Sequence, residues 1–215
     1  MTNVLVMLRH GLSQWNLENR FTGFRDVPLT EEGINEAIRA GQKVAKAGYR
    51  FDGVYTSTLD RAIQTTKYVL DNAADNNAHL KQADGTWAMV RHDDLRERDY
   101  GDLTGLNKAE TADKFGADQV HIWRRSYDVP PPNGESLKNV VDDRVGPYFM
   151  KEIMPRLQKG ENILLGAHGN TLRALLIVLG VRTPDNINEA EIGTGQPIVF
   201  EFNGGKMVKS YNLDE

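Results

Sequence analysis

Residues 4–11 read VLVMLRHG, an apolar run that stops at an arginine, a histidine and a glycine. A short run of this composition predicts a buried strand. Residues 163–170 (ILLGAHGN) repeat the pattern, with His168 and Gly169 directly after the apolar run. Ligands of open α/β sheets bind outside the carboxyl ends of the strands, so His10 and His168 are both expected beside a ligand.

Two further runs, residues 51–55 and 197–202, also predict strands, and helical patterns occupy residues 30–47, 58–73 and 171–179. Units of a strand followed by a helix are typical of parallel sheets. The sequence therefore predicts an α/β fold, with a mostly parallel central sheet flanked by helices on both faces.

The length of 215 residues favours one domain over the whole chain, residues 1–215. The strongest break in the pattern is residues 130–134 (PPPNG). We expect this break to separate a helix-rich insertion at about residues 91–134 from a long helix that begins near Glu135. The insertion is predicted to lie over the C-terminal ends of the strands.

The composition limits the classes of function. The chain has no cysteine, which excludes a disulfide scaffold, a thiolate metal site and a cysteine nucleophile. A net charge of −4 argues against a general nucleic-acid-binding surface. We expect no signal peptide, no membrane span and a cytoplasmic location. A bound anion must therefore meet a local cluster of cations.

Several arginines stand near the predicted strand ends and helix starts, namely Arg9, Arg61 and Arg173. Guanidinium groups bind phosphate oxygens in pairs, and helix N-termini add backbone donors, so the pattern predicts a phosphate site. Taken singly, each arginine is better explained by a surface ion pair. Further cations of the same kind are Arg96, Arg98, Lys108, Arg124 and Arg125.

Two histidines and several arginines suit phosphoryl transfer. Neutral imidazole is a competent nucleophile, and nearby cations stabilise the charge on the transferring oxygens. Glu97, in the sequence RERDYG, is the candidate for moving a proton to and from the leaving oxygen. A metal site is disfavoured because no third ligand stands at suitable spacing near either His-Gly pair. No Walker loop is present, so a P-loop nucleotide enzyme is not supported.

Seven sequence blocks, in order along almost the whole chain, resemble the cofactor-dependent phosphoglycerate mutases of the histidine phosphatase superfamily. The blocks are MLRHGLSQWN, RFTGFRDVPLTEEG, YTSTLDRAIQTT, ERDYGDLTGLNKAE, HIWRRSYDVPPP, GESLKNV and GAHGNTLRAL. The RHG triplet indicates only the superfamily, whereas GLNKAE and WRRSYDVPPP are more specific to the mutases.

The resemblance implies a role for each matching residue. His10 would be the phosphorylated nucleophile and Glu97 the general acid and base. The transferring phosphoryl group would be held by Arg9, Arg61 and His168, assisted by Asn16 and the Gly169 amide. The substrate side would be lined by Ser13, Thr22 and Gly23, and the carboxylate and second phosphate would be bound by Arg98, Tyr100, Lys108, Arg124, Arg125 and Asn170.

The implied activity is the interconversion of 3-phosphoglycerate and 2-phosphoglycerate in glycolysis and gluconeogenesis, primed by 2,3-bisphosphoglycerate and without a metal. The partners would be small-molecule phosphoglycerates, with no nucleic acid or membrane, and the sequence leaves monomer and homo-oligomer open. The alternative is a histidine-dependent phosphatase acting on small phosphorylated metabolites, which does not need the set Lys108, Arg124 and Arg125. A non-catalytic phospholigand-binding module would have lost a catalytic group, yet His10, Glu97 and His168 are present.

The sequence departs from the family pattern in three places. Asp99 stands where the family usually has histidine, and Asp60 replaces a usual basic residue. The first change is expected to put a carboxylate into the anion-binding block. Pro132 is followed almost directly by GESL, whereas longer members carry an extra segment there that lies over the site. Substrate closure is therefore expected to be weaker in this chain.

Overall fold

The computed structural model describes residues 2–214, and its centre is a six-stranded sheet. The strands are β1 (Thr2–Arg9), β2 (Gly53–Thr56), β3 (Val90–Arg91), β4 (Ile163–Ala167), β5 (Pro197–Asn203) and β6 (Lys206–Asn212). Their spatial order is β3-β2-β4-β1-β5-β6. The first four strands in this order pair in parallel, and β5 and β6 are added antiparallel. The prediction of a mostly parallel sheet is confirmed.

The four predicted strands are present, and two strands were missed. Strand β3 has only two residues, both exposed, and β6 is a largely exposed edge strand. Neither segment has the apolar content that identifies a buried strand in a sequence. The Gly204-Gly205 pair that joins β5 to β6 was the available hairpin signal.

Helices cover both faces of the sheet, as predicted. The α-helical segments within residues 2–214 are α1 (Gln14–Leu17), α2 (Glu31–Lys46), α3 (Asp60–Asn72), α4 (Ala74–Asn77), α5 (Lys108–Phe115), α6 (Ala117–Arg125), α7 (Leu137–Asn139), α8 (Gly146–Tyr148), α9 (Met154–Gln158) and α10 (Gly169–Val178). Thr30 caps α2 as expected, because its side chain accepts a hydrogen bond from the Gly33 amide.

The long helix expected after Glu135 begins at α7 and is not uniformly α-helical. Two π-helical segments, Val140–Val145 and Phe149–Ile153, interrupt it. Each segment ends two residues before a proline, Pro147 or Pro155. Proline has no amide hydrogen, and its ring clashes with the carbonyl four residues earlier, so a wider turn accommodates it.

Alternate side chains of β1 face two separate cores. Leu5 and Met7 pack with the long helical stretch and α10 on one face, and Val6 and Leu8 pack with α2 and α3 on the other. All four side chains are fully buried. Burying one such side chain stabilises a fold by about 1.5–3 kcal/mol, so these contacts hold the strand, and the residues that follow it, in a fixed position.

The parallel register of β1 and β4 brings the two His-Gly pairs together. Arg9 lies opposite Ala167, and the His10 amide donates to the Ala167 carbonyl at 2.9 Å. Gly11 then passes the start of α2 so closely that a Cβ at this position would lie 2.1 Å from the Gly33 oxygen. Only glycine fits this crossing, which explains the third residue of the RHG triplet.

Candidate active site

The His10 ring is buried, and its two nitrogens have different neighbours. Nδ1 lies 2.7 Å from the Gly11 carbonyl, which can only accept, so Nδ1 carries the hydrogen. The Arg61 Nε group donates to Nε2 at 3.3 Å, so Nε2 carries the lone pair. Burial, followed by the charges of Arg61 and Arg9, lowers the pKa of His10 well below its ordinary value. The surroundings therefore keep the ring neutral and nucleophilic at Nε2.

His168 lies beside His10 at the start of α10, and the two ring centroids are 5.2 Å apart. Its Nε2 is 2.7 Å from the Ser57 hydroxyl, while its buried Nδ1 has no hydrogen-bond partner within residues 2–214. Burial and the charge of Arg61 lower the pKa of His168 well below its ordinary value. One nitrogen of this ring thus has unused hydrogen-bonding capacity.

Two of the predicted arginines flank the His10 ring. Arg61, in the first turn of α3, also donates to the carbonyls of Arg25 at 2.7 Å and Gly23 at 2.8 Å. Burial lowers its pKa to about 10. Arg9 donates to the Ile192 carbonyl at 3.0 Å, and its buried Nε has no partner in the described part of the chain.

The Glu97 carboxylate is almost fully buried near the same strand ends. Its Oε1 accepts hydrogen bonds from the backbone amides of Arg98 at 2.8 Å and Asn170 at 3.1 Å. Asn170 belongs to the first turn of α10, so this helix positions His168 and Glu97 together.

These groups line one cavity of about 210 Å³. Most of the predicted site residues meet there: Arg9, His10, Asn16, Thr22, Arg61, Glu97, Tyr100, Lys108, Arg124, Arg125, Gly169 and Asn170. Residues of α5 and α6 reach the same cavity as the strand ends, as expected for segments lying over that edge of the sheet. Helices and strand ends distant in sequence thus form one site.

Four predicted residues support the cavity without lining it. Ser13 caps α1 through its hydrogen bonds with Asn16, and the Gly23 carbonyl holds Arg61. Arg98 is buried, stacks on the Tyr100 ring at 4.7 Å and donates to the Arg124 carbonyl. His168 lies beside His10 but is not among the residues that line the cavity. Direct contact of these four residues with a substrate stays a prediction.

Two lining residues, Arg20 and Phe21, were not predicted from the sequence. Arg173, which the sequence analysis expected at a phosphate site, lines the cavity and follows Gly169 by four positions on α10. Arg20 lies in an irregular segment, where it donates to the Gly105 carbonyl at 2.9 Å and pairs with Glu18. No periodicity identifies such a residue.

The cavity is strongly cationic. Among its described lining residues are seven arginines or lysines and one carboxylate, Glu97. Burial is the main cause that lowers the pKa of Lys108, Arg124 and Arg173, and nearby arginines act in the same direction. Such a cluster in a chain of net negative charge favours a small anion with several charges.

The Asp99 carboxylate does not enter this cavity, contrary to the expectation from sequence. Its Oδ1 accepts a hydrogen bond from the Gly101 amide at 2.9 Å, at the start of a 3₁₀ turn, Gly101–Leu103. Asp60 is exposed in the first turn of α3 and does not line the cavity either. Both departures from the family pattern lie outside the anion site.

The short segment after Val129 is tied to the Asp99–Leu103 turn. The Pro132 carbonyl accepts from the Asp102 amide at 3.0 Å, and the Glu135 amide donates to the Asp99 carbonyl at 2.9 Å. Residues 126–139 contribute nothing to the cavity lining. This segment therefore supports the site from beside it and does not cover it.

Among residues 2–214, no three histidine, aspartate or glutamate side chains are grouped so that they could hold a metal ion. No helix in the same range combines the length and apolar character needed to cross a membrane.

Comparisons with known proteins extend over the full chain. Residues 5–214 match the family described as the histidine phosphatase superfamily (branch 1). A relative from Brucella anthropi is 48% identical over 215 residues, covering 100% of both chains, and is named 2,3-bisphosphoglycerate-dependent phosphoglycerate mutase. A relative of the same name from Parvibaculum lavamentivorans is 48% identical, over 100% of this chain and 98% of its own.

The fold is shared with a mycobacterial glucosyl-3-phosphoglycerate phosphatase, with a TM-score of 0.78 and 22% identity over 99% of this chain and 97% of that one. At this identity the likeness shows the fold alone. The chain therefore belongs to the histidine phosphatase superfamily, and its resemblance to the cofactor-dependent phosphoglycerate mutases is confirmed by relatives that match along its whole length.

Proposed function

We propose that this protein is a 2,3-bisphosphoglycerate-dependent phosphoglycerate mutase that works through phosphohistidine at His10. The main support for the proposal is the His10 ring, which has its lone pair at Nε2 and lines a cavity with seven cations and one carboxylate. The names of the full-length relatives supply the three-carbon substrate.

The first step primes the enzyme. His10 Nε2 attacks one phosphorus of 2,3-bisphosphoglycerate, the N–P bond forms, and the bond from phosphorus to the glycerate oxygen breaks. Glu97 gives a proton to that oxygen as it leaves. Arg9 and Arg61 line the cavity and are donors available to the phosphoryl oxygens. His168 would add its Nδ1 as a donor in the tautomer whose Nε2 accepts from the Ser57 hydroxyl.

The second step returns the phosphoryl group to substrate. The free 2-hydroxyl of 3-phosphoglycerate gives its proton to Glu97 and attacks the phosphorus on His10. The new P–O bond forms as the N–P bond breaks, which restores the Nε2 lone pair and regenerates the bisphosphate. The bisphosphate then turns in the cavity and gives its other phosphoryl group to His10, releasing 2-phosphoglycerate. Lys108, Arg124 and Arg125 line the cavity and can hold the carboxylate and the second phosphate during this turn.

Phosphatase activity on small phosphorylated metabolites is the competing function. It needs only that water, instead of a hydroxyl of the substrate, attacks phospho-His10. The segment 126–139 contributes no residue to the lining of the cavity, so it offers no shield against water. The cation set Lys108, Arg124 and Arg125 favours the mutase, because a reorienting intermediate requires it.

The decisive experiment measures 2-phosphoglycerate formation from 3-phosphoglycerate, with and without 2,3-bisphosphoglycerate. We expect isomerisation that rises with the bisphosphate, together with a base-stable, acid-labile phosphate on the wild-type protein. His10→Ala should abolish both signals, whereas His121→Ala, at an exposed histidine, should retain them. Release of inorganic phosphate without isomerisation would establish the phosphatase instead.

A separate prediction concerns metals. Because the arginines and Lys108 that line the cavity can neutralise the phosphoryl charge, we expect isomerisation to continue in a strong chelator. The measurement compares initial rates before and after dialysis against the chelator. Loss of activity that returns with an added divalent ion would contradict this prediction.

A further inference from the structure

Glu97 lies in a segment whose backbone has no regular pattern of helix or sheet hydrogen bonds. Residues 97–100 belong to no helix or strand and connect two 3₁₀ turns, Asp93–Leu95 and Gly101–Leu103. A group that transfers a proton must be held within a fraction of an ångström of its partner. The backbone of this segment therefore needs support from other parts of the fold.

That support comes from an ion pair between Arg144 and Glu135. Arg144 Nε donates to Oε1 of Glu135 and Nη2 donates to Oε2, both at 2.7 Å. The two side chains are only 15% and 21% exposed. A paired, largely buried contact of this kind fixes orientation as well as distance.

The same pair holds the backbone on both sides of Glu97. On the N-terminal side, Arg144 donates to the carbonyls of Asp94 at 2.9 Å and Arg96 at 3.4 Å. It also donates to the carbonyl of Glu97 itself at 3.3 Å. Glu135 Oε2 accepts from the Asp99 amide at 2.9 Å, and the Glu135 amide donates to the Asp99 carbonyl at 2.9 Å, so it holds the C-terminal side.

We propose that Arg144 and Glu135 are positioning residues that aim the Glu97 carboxylate at the leaving oxygen, an inference that rests on the proton-transfer role proposed for Glu97. Neither residue lines the cavity, so the pair acts through Glu97 and not on the substrate. A pair that only stabilised the fold would be equally important for every phosphoryl donor.

The choice of phosphoryl donor, and hence of leaving group, distinguishes a positioning role from a purely stabilising role. When 2,3-bisphosphoglycerate phosphorylates His10, the departing alkoxide oxygen must receive the Glu97 proton. When acetyl phosphate is the donor, the N–P bond forms and the P–O bond breaks in the same way. The acetate, however, leaves as a stable anion and needs no proton. Misplacing Glu97 should therefore slow the first reaction selectively.

The experiment measures the single-turnover rate of His10 phosphorylation from each donor, by rapid mixing and quenching in base. The variants are Glu135→Gln, which is nearly isosteric, and Arg144→Lys, which keeps the charge but cannot make the paired contact. Glu97→Gln provides the reference for loss of proton transfer. Glu161→Gln is the matched control, because Glu161 pairs with Arg156 in a half-buried ion pair of another part of the fold.

We expect Glu135→Gln and Arg144→Lys to slow phosphorylation by 2,3-bisphosphoglycerate by about 10- to 100-fold, as a misplacement near 1 Å does. Phosphorylation by acetyl phosphate should change by less than about threefold, because it needs no general acid. Glu97→Gln should show the same selectivity, and Glu161→Gln should show none. If Arg144→Lys fails to fold, the milder Glu135→Gln decides the question.

Equal loss with both donors, or no loss, in the Glu135 variant would overturn the positioning role. If Glu97→Gln is selective but the pair variants are not, the inference fails alone and the role of Glu97 stands. If Glu97→Gln itself shows no selectivity, the proton-transfer role and the positioning role both fail. Absence of phosphorylation from 2,3-bisphosphoglycerate in the wild type would instead contradict the proposed mutase.

Discussion

The protonation state of His10 depends on its burial and on three neighbours. The Gly11 carbonyl holds the hydrogen on Nδ1, and Arg61 and Arg9 disfavour a second proton on the ring. Burial acts in the same direction and is the largest of these effects. The Nε2 lone pair of His10 is thus available without a neighbouring base to remove a proton.

Removing the Arg61 charge tests this arrangement. In Arg61→Gln the pKa of His10 should rise, because a cation that opposed protonation is gone. Since the protonated ring has no lone pair at Nε2, the low-pH loss of phosphorylation should begin at a higher pH than in wild type. The rate at the pH optimum should also fall, by about 10²- to 10³-fold, because a donor to the phosphoryl group is lost.

The measurement is the pH dependence of His10 phosphorylation in single turnover. Arg173→Gln is the control, because it removes a cation from the same cavity that is not among the groups shifting His10. An unchanged pH profile in Arg61→Gln, with only a lower rate, would contradict the electrostatic role assigned to this arginine.

The end of β1 is held by its crossing with the start of α2. Thr30 caps the helix through the Gly33 amide and donates to the Leu12 carbonyl at 3.0 Å, and Gly11 crosses Gly33 in direct backbone contact. This crossing fixes the direction in which the chain leaves the strand. The position of the His10 ring depends on it.

We expect Gly33→Ala to be strongly destabilising. A Cβ there would lie 2.2 Å from the Leu12 oxygen, which is a backbone atom and cannot rotate away as a side chain does. The free energy of unfolding should fall by about 3 kcal/mol or more, the upper part of the range for overpacking. Urea unfolding of the two proteins measures it.

Gly193→Ala serves as the control for this substitution. Its Cβ would meet the flexible Gln196 side chain at 3.2 Å, so the free energy of unfolding should change little. If Gly33→Ala proved as stable as Gly193→Ala, the crossing would not be the close contact described above.

On the scale of the whole molecule, an acidic chain concentrates cations in one cavity. The net charge is −4, yet seven lysines and arginines line the described site. Partial burial lowers the pKa of Lys108, which means that the folded state disfavours this charge when no anion is bound. The fold therefore carries an electrostatic cost that an anion relieves.

Inorganic phosphate should accordingly stabilise the protein by binding. A ligand at 100 times its dissociation constant raises the free energy of unfolding by about 2.7 kcal/mol. Lys108→Gln should raise stability in phosphate-free buffer and reduce the gain from added phosphate. Urea unfolding at constant ionic strength, with and without phosphate, measures both effects. An equal phosphate gain in the two proteins would show that Lys108 takes no part in binding the anion.

Local patterns in the sequence determined the central strands, the main helices and the placement of His10 and His168 at neighbouring strand ends. These features are predictable because buried positions recur at regular intervals along a strand or helix and must be apolar. In β1, for example, alternate residues face two cores. The shared position of the two histidines follows from the general rule that parallel strands present their carboxyl ends at one edge.

The tertiary structure alone decided the remainder. Strand β6 is nearly all exposed, so it leaves no apolar period, and the Asp99 carboxylate turned out to face a backbone amide instead of the cavity. The pair of Arg144 and Glu135 holds carbonyls up to 50 residues away. Hydrogen bonds of this kind depend on which segments meet in space. Every residue has a backbone carbonyl, so the sequence does not show which carbonyl a given side chain will bind.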